Sequence, residues 1–314
     1  MRIVRFDEGR VGVVVDRVDG PAVVDVSDVV GVDPDEWPPV GPNRLIARWS
    51  SYSDAVAEAA VSRAARPLSE VTLRTPVPWA SKVIAYPVNY HDHAAEMGAS
   101  YRASNQGFFL KPPSSLSGAG EPVVLPAVPG REVHHESELA IIIGTGGRDI
   151  PRDEWREHVF GYSCLLDMVV RGREERVFRK AFDTFCPVGP WITTADDVPD
   201  PESLQVQLWV GDELRQDAST RDLVLDIPGM VEMASSVMTL EPGDIIATGT
   251  PAGVGPVVEG DVIRIRIQDV GEMSVDVVQG SGGHSAVFDE AYVPPTAAKQ
   301  SADPAAPATT LEPR

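Results

Sequence analysis

Short apolar and β-branched runs separated by tight turns recur along the whole sequence, and they restrict its fold more than any other feature. Predicted strands lie at 2–6, 11–15, 22–26, 83–86, 122–126, 136–143, 205–210, 213–216, 244–248, 262–267 and 273–278. Turns such as Asp7-Glu8-Gly9, Asp19-Gly20 and Gly211-Asp212 join several of them as hairpins. Because strands outnumber helices and do not alternate with them, the pattern predicts a β-rich α+β fold with a mixed sheet, not a doubly wound sheet.

Composition divides the chain into three parts. Residues 1–76 combine the first strands with an alanine-rich helical stretch at 45–65 and close on Thr75-Pro76, which predicts a small N-terminal β-rich domain. Residues 77–290 hold the remaining strands and form the predicted catalytic domain. Residues 291–314 are rich in Pro, Ala and Thr without hydrophobic periodicity, so we expect a disordered tail.

The charge of the chain narrows its partners. The 314 residues include 27 Lys+Arg and 47 Asp+Glu, which gives a formal net charge of −20. Such a surface repels nucleic-acid phosphates and anionic membranes, so we expect neither as a partner. A small anionic substrate would need a locally positive pocket, which a metal ion could supply.

Cysteine usage and hydropathy indicate the compartment. Cys164 and Cys186 are too few for a disulfide framework, form no CxxC and lie in no nucleophile motif, so we expect them to be buried fillers. No stretch approaches the roughly 20 apolar residues of a membrane span. The first residues lack the apolar core of a signal peptide. We therefore expect a soluble, cytoplasmic protein.

Three carboxylates lie beside strongly apolar runs. Glu136 and Glu138 open the run that ends at Gly144, and in a strand their side chains share a face. Two adjacent carboxylates repel each other unless a cation lies between them or one is protonated, and their oxygens suit Mg²⁺ or Mn²⁺. Asp167, among apolar residues, would be a third ligand. A solvated strand end for the glutamates and a capping role for Asp167 remain open.

A histidine and a glutamate lie three residues apart in a predicted helix over 89–97, with Asn89 as its N-cap. His93 and Glu96 are neighbours on such a helix, and a carboxylate beside an imidazole raises its basicity. The pair could then deprotonate water. A surface ion pair is the alternative, and His91 faces elsewhere.

Cations next to apolar runs are candidates for binding a substrate carboxylate, although ordinary salt bridges would also explain them. They are Lys111, Arg171 and Lys180. The glycine-rich stretch 248–255 lacks the lysine of a phosphate-binding loop and does not support nucleotide binding. It could present backbone N–H groups and the Thr250 hydroxyl to a ligand, or be a plain turn.

Taken together, these stretches resemble the fumarylacetoacetate hydrolase family over roughly residues 82–280. The motifs that carry the resemblance are NYHDHAAEMG (89–98), FFLKPPSSL (108–116), HHESELAIIIG (134–144), GYSCLLDMVVR (161–171), RKAFDTFCPVGPWI (179–192) and GDIIATGTPAGVG (243–255). Each motif alone is weak, but their order and spacing together are specific. The resemblance implies a catalytic domain with the rolled mixed β-sheet of the family, and a homodimer.

The resemblance also assigns roles to the candidate residues. It implies an Mg²⁺ or Mn²⁺ site, a catalytic set beside it and a set of substrate contacts. The implied residues are Glu136, Glu138 and Asp167 for the metal; His93, Glu96 and Lys180 for catalysis; and Lys111, Arg171 and Thr250 for the substrate.

Two segments depart from the family pattern. After the metal aspartate many members have Arg-Asp-x-Gln, where this chain has Arg171-Gly172-Arg173-Glu174, so substrate contacts in that corner are in question. The lid segment begins with Ala85-Tyr86-Pro87-Val88, where a glycine-containing turn is common, and Pro87 should stiffen it.

The resemblance implies a metal-dependent hydrolase that cleaves a carbon–carbon bond of a 1,3-diketone acid such as an acylpyruvate, through a metal-stabilised enolate and water activated by the His-Glu dyad. An isomerase or decarboxylase acting on a 2-oxo or hydroxymuconate-like acid of aromatic catabolism is the alternative. A binding protein without turnover is a third reading, motivated by Gly172 and Glu174.

Overall fold

The computed structural model describes residues 1–289 as three β-sheets with short helices around them. The strands are β1 Arg2–Phe6, β2 Arg10–Arg17, β3 Gly20–Asp25, β4 Arg66–Pro67, β5 Leu73–Arg74, β6 Val83–Ala85, β7 Phe109–Lys111, β8 Leu116–Ser117, β9 Val123–Leu125, β10 Val133–His135, β11 Ser137–Ile143, β12 Val159–Leu166, β13 Val169–Val170, β14 Cys186–Thr194, β15 Gln205–Val210, β16 Glu213–Ser219, β17 Ile245–Ala247, β18 Gly255–Val257, β19 Val262–Ile267 and β20 Gly271–Gln279. The α-helices are α1 Ser27–Val30, α2 Gly41–Ala47, α3 Trp49–Ser62, α4 His91–Glu96, α5 Ala103–Gln106, α6 Arg176–Lys180 and α7 Ile227–Val237. The β-rich α+β fold class is confirmed.

The large sheet has the strand order β4-β3-β2-β1-β14-β12-β11-β17-β6-β7, with β5 and β8 at its side. A second sheet has the order β16-β15-β19-β20-β9, and a small third sheet has the order β13-β10-β18. Most neighbours in the large sheet are antiparallel, but β17 and β6 are parallel, so it is mixed, as predicted. The hairpin of β15 and β16 is also present where the sequence predicts it.

The N-terminal strands belong to the same large sheet as the rest of the chain. Arg2 of β1 pairs with Thr193 of β14, and residues of both parts, such as Leu45 and Ile245, pack in one apolar cluster. The sheet and this core therefore cross the boundary predicted near residue 76. The division into a 1–76 unit and a 77–290 unit stays a proposal.

The register of β11 against β12 determines where the site lies. Ser137 pairs with Leu166 and Glu138 with Leu165, so Glu136 lies opposite Asp167, whose N–H donates to the Glu136 carbonyl at 2.9 Å. Directly opposed residues share a face, and so do residues two apart along a strand. Glu136, Glu138 and Asp167 therefore project from one face, where the chain leaves two adjacent central strands.

Two predicted helices differ from the structure. The helical stretch 45–65 is two helices, α2 and α3, which meet at Arg48. The segment Asp153–His158 is a 3-10 helix that begins at Arg152. By contrast, α7 begins after Asp226 as predicted, because that side chain accepts a hydrogen bond from Gly229 N at 3.0 Å and caps the helix.

Cys164 and Cys186 are both buried, as expected of fillers, and burial raises the pKa of the Cys186 thiol to about 12. Within residues 1–289, no helix combines the length and apolar character needed to cross a bilayer. The predicted tail at 291–314 lies outside the described residues.

Candidate active site

Three buried carboxylates form a compact cluster. One oxygen from each of Glu136, Glu138 and Asp167 lies within 4.8 Å of the others. All three residues are buried, so the sequence alternative of a solvated strand end does not hold. Glu138 accepts a hydrogen bond from Gly249 N at 2.8 Å.

Two lysines balance the cluster. Lys180 donates to Glu136 at 2.7 Å and also to Asp167. Lys111 donates to the other oxygen of Asp167 at 2.6 Å and to the Lys180 carbonyl at 2.7 Å. Lys180 lines the cavity in front of the cluster, whereas the Lys111 side chain is fully buried behind it. This position argues against the predicted substrate contact of Lys111 and gives it the role of orienting Asp167.

The pKa shifts of the cluster agree with a cation site. Burial would raise the pKa of Glu136, but the Lys180 charge outweighs it and lowers that pKa to about 2. Burial and the neighbouring Asp167 charge raise the pKa of Glu138 well above its usual value. A buried all-oxygen donor set with this much mutual repulsion fits Mg²⁺ or Mn²⁺, which prefer carboxylate ligands.

The His-Glu pair lies on α4 with the predicted geometry. His93 Nδ1 is 2.9 Å from a Glu96 carboxylate oxygen, and the imidazole is buried. The second Glu96 oxygen accepts from Gly253 N at 3.0 Å. Burial pushes the pKa of Glu96 upward, but the hydrogen bonds from His93 and Gly253 outweigh it and leave that pKa below its usual value.

One glycine-rich loop therefore holds two acids of the site. The N–H of Gly249 binds Glu138 and the N–H of Gly253 binds Glu96. Both glycines have positive φ, at 91° and 94°, and a Cβ on Gly253 would lie 1.9 Å from the Arg215 carbonyl oxygen. The backbone N–H groups of this loop thus serve the protein's own carboxylates.

Helix α4, which follows the lid segment that begins at Ala85, is called the lid helix. The prediction that Asn89 caps it is wrong, since α4 begins at His91 and its N-cap position is Tyr90. The Asn89 side chain instead donates to the Leu225 and Thr248 carbonyls at 2.9 and 2.8 Å and accepts from Leu225 N at 2.8 Å. It anchors the base of the lid to two other segments, because a buried amide has to satisfy its own polar atoms.

The turn before the lid is strained at Val88. This β-branched residue has a φ of 52°, in the left-handed region that favours glycine. It follows Pro87, and both residues line the cavity. The structure thus places an unfavourable backbone conformation where the sequence lacks the family's glycine-containing turn.

One cavity is lined by the carboxylate cluster, Lys180 and His93. Arg171 and Thr250, the predicted substrate contacts, also line it, together with Tyr101, Phe109, Arg176 and Arg179, which the sequence did not indicate. Glu96 is not a lining residue of this cavity, but its carboxylate contacts the His93 ring.

The three cavity arginines have no carboxylate partner among residues 1–289. Arg171 contacts the sulfur of Met97, and Arg176 donates to the Tyr101 hydroxyl at 3.1 Å. Arg179 donates to backbone carbonyls, and burial together with the Arg171 charge lowers its pKa. These three arginines and Lys180 thus line a cavity that also holds the three carboxylates.

Glu174, one of the departures from the family pattern, points away from this cavity. Its carboxylate binds Arg131 at 2.8 Å, and both side chains are mostly buried. A Cβ on Gly172 would lie 1.9 Å from the free oxygen of Glu174, so the missing side chain at 172 makes room for this ion pair. Neither Gly172 nor Glu174 lines the cavity.

Gln216 is a further residue that sequence reasoning missed. It lies on β16, in the second sheet, and its buried amide reaches across to Thr250 and to the backbone N–H of Ser137 at the start of β11. Only its place in a polar run of a strand could have signalled it. Its neighbour His135 is buried, which lowers the pKa of that ring to about 4 and keeps it neutral.

With this fold and cavity, the chain belongs to the fumarylacetoacetate hydrolase family. The family model described as "Fumarylacetoacetate (FAA) hydrolase C-terminal" matches residues 82–278, and this confirms the resemblance found in the motifs.

Among similar proteins, the maleylpyruvate hydrolase of Aquipseudomonas alcaligenes is 42% identical over 290 residues, which is 88% of this chain and 99% of that protein. The crystal structure of maleylpyruvate hydrolase from Sphingobium sp. SYK-6 with manganese(II) and pyruvate is 62% identical, covers 90% of this chain and 100% of its own, and has a TM-score of 0.82. The structure of 5-carboxymethyl-2-hydroxymuconate delta-isomerase from Mycobacterium smegmatis is 33% identical, covers 90% and 100%, and has a TM-score of 0.69.

Proposed function

We propose that this protein is a divalent-metal-dependent hydrolase that cleaves the carbon–carbon bond of an acylpyruvate, with a diacid such as maleylpyruvate as its substrate. One observation carries the proposal: the carboxylate cluster and His93, backed by Glu96, line the same cavity. Hydrolysis needs both a cation site and a group that activates water, whereas isomerisation and decarboxylation need no attacking water. The two relatives called maleylpyruvate hydrolase support the same reading.

The cation, Mg²⁺ or Mn²⁺, would be held by Glu136, Glu138 and Asp167. It supplies Lewis-acid stabilisation of the negative charge that develops on the 2-oxo acid end of the substrate. Lys180 adds positive charge beside the same carboxylates, and Thr250 offers a hydroxyl to the substrate carboxylate from the cavity wall.

The dyad would activate the attacking water. The hydrogen bond to Glu96 places the His93 proton on Nδ1 and leaves the Nε2 lone pair to take a proton from water. The resulting hydroxide adds to the acyl carbonyl carbon, and the bond between that carbon and the neighbouring methylene carbon breaks. The acyl part leaves as a carboxylic acid, and the three-carbon part takes the electron pair and a proton to become pyruvate.

The unpaired arginines favour a diacid over a monoacid. One carboxylate of the substrate lies at the metal end, and Arg171, Arg176 and Arg179 form no ion pair with a carboxylate among the described residues. Guanidinium groups in a partly buried cavity are strongly stabilised by a carboxylate, which binds their parallel N–H groups. We assign a second substrate carboxylate to this side of the cavity.

The family resemblance supports four further parts of the proposal: magnesium as an alternative metal, a cytoplasmic location, a role in aromatic catabolism and a homodimer. Light scattering of the purified full chain measures its mass in solution. A mass of 33.7 kDa, that of one chain, would indicate a monomer and contradict the dimer.

The decisive experiment is incubation of the Mn²⁺- or Mg²⁺-loaded protein with maleylpyruvate and with the monoacid acetylpyruvate, with products identified by mass. We expect pyruvate together with maleate from the first, and slower cleavage of the second. A product of unchanged mass would support the isomerase alternative, CO₂ would support decarboxylation, and no turnover of any 2-oxo acid would support a binding protein.

A further inference from the structure

One buried amide connects three segments around the cavity. Gln216 is 1% exposed, and its Nε2 donates to Thr250 Oγ1 at 2.8 Å and to the Pro251 carbonyl at 2.9 Å. Its Oε1 accepts from Ser137 N at 3.0 Å and lies 3.3 Å from His135 Nδ1.

The neighbours determine which amide atom is which. The Ser137 N–H can only donate and the Pro251 carbonyl can only accept, so oxygen faces the first and nitrogen faces the second. The two hydrogens of Nε2 are then both committed, one to the carbonyl and one to the hydroxyl of Thr250. The amide cannot flip without leaving several buried groups unpaired.

This assignment determines the direction of the Thr250 hydroxyl. A hydroxyl has one proton, and the lone pair of an amide nitrogen is delocalised and does not accept it, so Thr250 cannot donate back to Gln216. Among residues 1–289, the structure contains no other hydrogen-bond partner for this hydroxyl. Thr250 is 3% exposed and lines the cavity, so its proton is available to a ligand there.

We propose that Gln216 is a positioning residue that makes Thr250 a hydrogen-bond donor toward the carboxylate of the bound oxo acid. The proposal rests on the proposed function only in requiring that a 2-oxo acid binds in this cavity. A hydroxyl that donates to a carboxylate forms a charge-assisted hydrogen bond, and loss of such a bond weakens binding by about 10- to 100-fold.

The test is a double-mutant cycle on pyruvate binding to the Mn²⁺-loaded full chain, measured by calorimetry. In Gln216→Glu the side chain keeps its shape, but the new carboxylate accepts the Thr250 proton, so we expect pyruvate to bind about 10- to 100-fold more weakly. Thr250→Val removes the hydroxyl and should cause a similar loss. The double variant should bind pyruvate less than about 2-fold more weakly than Thr250→Val alone, because Gln216→Glu then has no hydroxyl left to reorient.

Gln207→Glu is the matched control, since it makes the same charge change on β15 in the same sheet and outside the cavity. It should leave pyruvate binding unchanged. If Gln216→Glu fails to fold, Gln216→Met takes its place: it should weaken pyruvate binding in the parent and add nothing in Thr250→Val.

If the two losses of pyruvate affinity multiplied in the double variant, Gln216 would act on the structure generally, and the proposal would be overturned. Unchanged pyruvate binding in Gln216→Glu, or a parent that binds no pyruvate, would also overturn it. Failure of the proposed hydrolysis is a separate result, because non-additive pyruvate binding can be observed in a protein that does not cleave acylpyruvates.

Discussion

The carboxylate cluster and the lid lie on two sides of one cavity and are built differently. The cluster is carried by two adjacent strands in the middle of the large sheet, and lysines fill the space around it. The lid is the six-residue helix α4 behind a strained turn at Val88, and several of its residues are exposed.

This difference separates two functions of the cavity. Side chains on packed strands are held in place by the sheet, which suits the fixed ligand geometry of a metal site. Short elements with few buried contacts open at lower free energy, which suits the admission of substrate and the release of product. We therefore expect changes in the cluster to affect metal binding, and changes around the lid and the arginines to affect catalysis and substrate choice alone.

The largest effect should follow from Glu138→Ala in the cluster. Losing one of three ligands should weaken Mn²⁺ binding by more than about 100-fold and reduce turnover to background at ordinary Mn²⁺ concentrations. Calorimetric titration with Mn²⁺ measures the first and product analysis the second. Glu132→Ala is the control, because the Glu132 carboxylate is exposed and pairs with His134, outside the cluster. Normal Mn²⁺ affinity in Glu138→Ala would sink the metal assignment.

His93→Ala comes next and tests the lid side. Without the base, kcat should fall by about 10²- to 10⁴-fold, while Mn²⁺ affinity should stay within about 2-fold of the parent. His91→Ala, an exposed residue of the same helix, should keep full activity. Full acylpyruvate cleavage by His93→Ala would rule out the dyad, and a large loss of Mn²⁺ affinity would show that the two sides of the cavity are not independent.

Arg176→Met should have a smaller, substrate-dependent effect. The KM for maleylpyruvate should rise about 10- to 100-fold through loss of a charge-assisted contact, whereas the KM for acetylpyruvate should barely change. Arg173→Met provides the control, since Arg173 is exposed and does not line the cavity. An equal change for the diacid and the monoacid would contradict the assignment of a second carboxylate to this side.

The smallest effect concerns Val88, where we expect the glycine variant to be more stable than the alanine variant, the reverse of the usual order. Glycine usually destabilises relative to alanine by about 0.5–1 kcal/mol, but at a positive φ it relieves strain that alanine keeps. Val88→Gly should therefore unfold at a higher temperature than Val88→Ala. At Val56, buried within α3, the usual order should hold, with Val56→Ala the more stable. If the alanine variant were the more stable one at both positions, the backbone at Val88 would not be strained.

Sequence reasoning succeeded where the signal was local. The apolar run at 136–143 located β11, and the two-residue period of a strand put Glu136 and Glu138 on one face. The three-residue spacing of His93 and Glu96 was likewise sufficient to bring their side chains together. In these cases one strand or one helical turn determines the geometry.

What it missed depends on pairing between distant segments. Asn89 resembles an N-cap locally, but its partners Leu225 and Thr248 lie more than 130 residues away. Gln216 reaches Ser137 across 79 positions, and no periodicity in either strand signals that contact. The sequence could not show that Lys111 is buried behind Asp167, because this burial depends on tertiary packing.

The contact between Gly172 and Glu174 has an evolutionary consequence. An ancestor with the family's usual aspartate and glutamine could not acquire Glu174 in its present orientation first, because a side chain at position 172 would collide with it. Loss of the side chain at 172 would have to come first or at the same time. The side chains at 172 and 174 are therefore coupled, and restoring an aspartate at 172 should force Glu174 to leave its ion pair with Arg131.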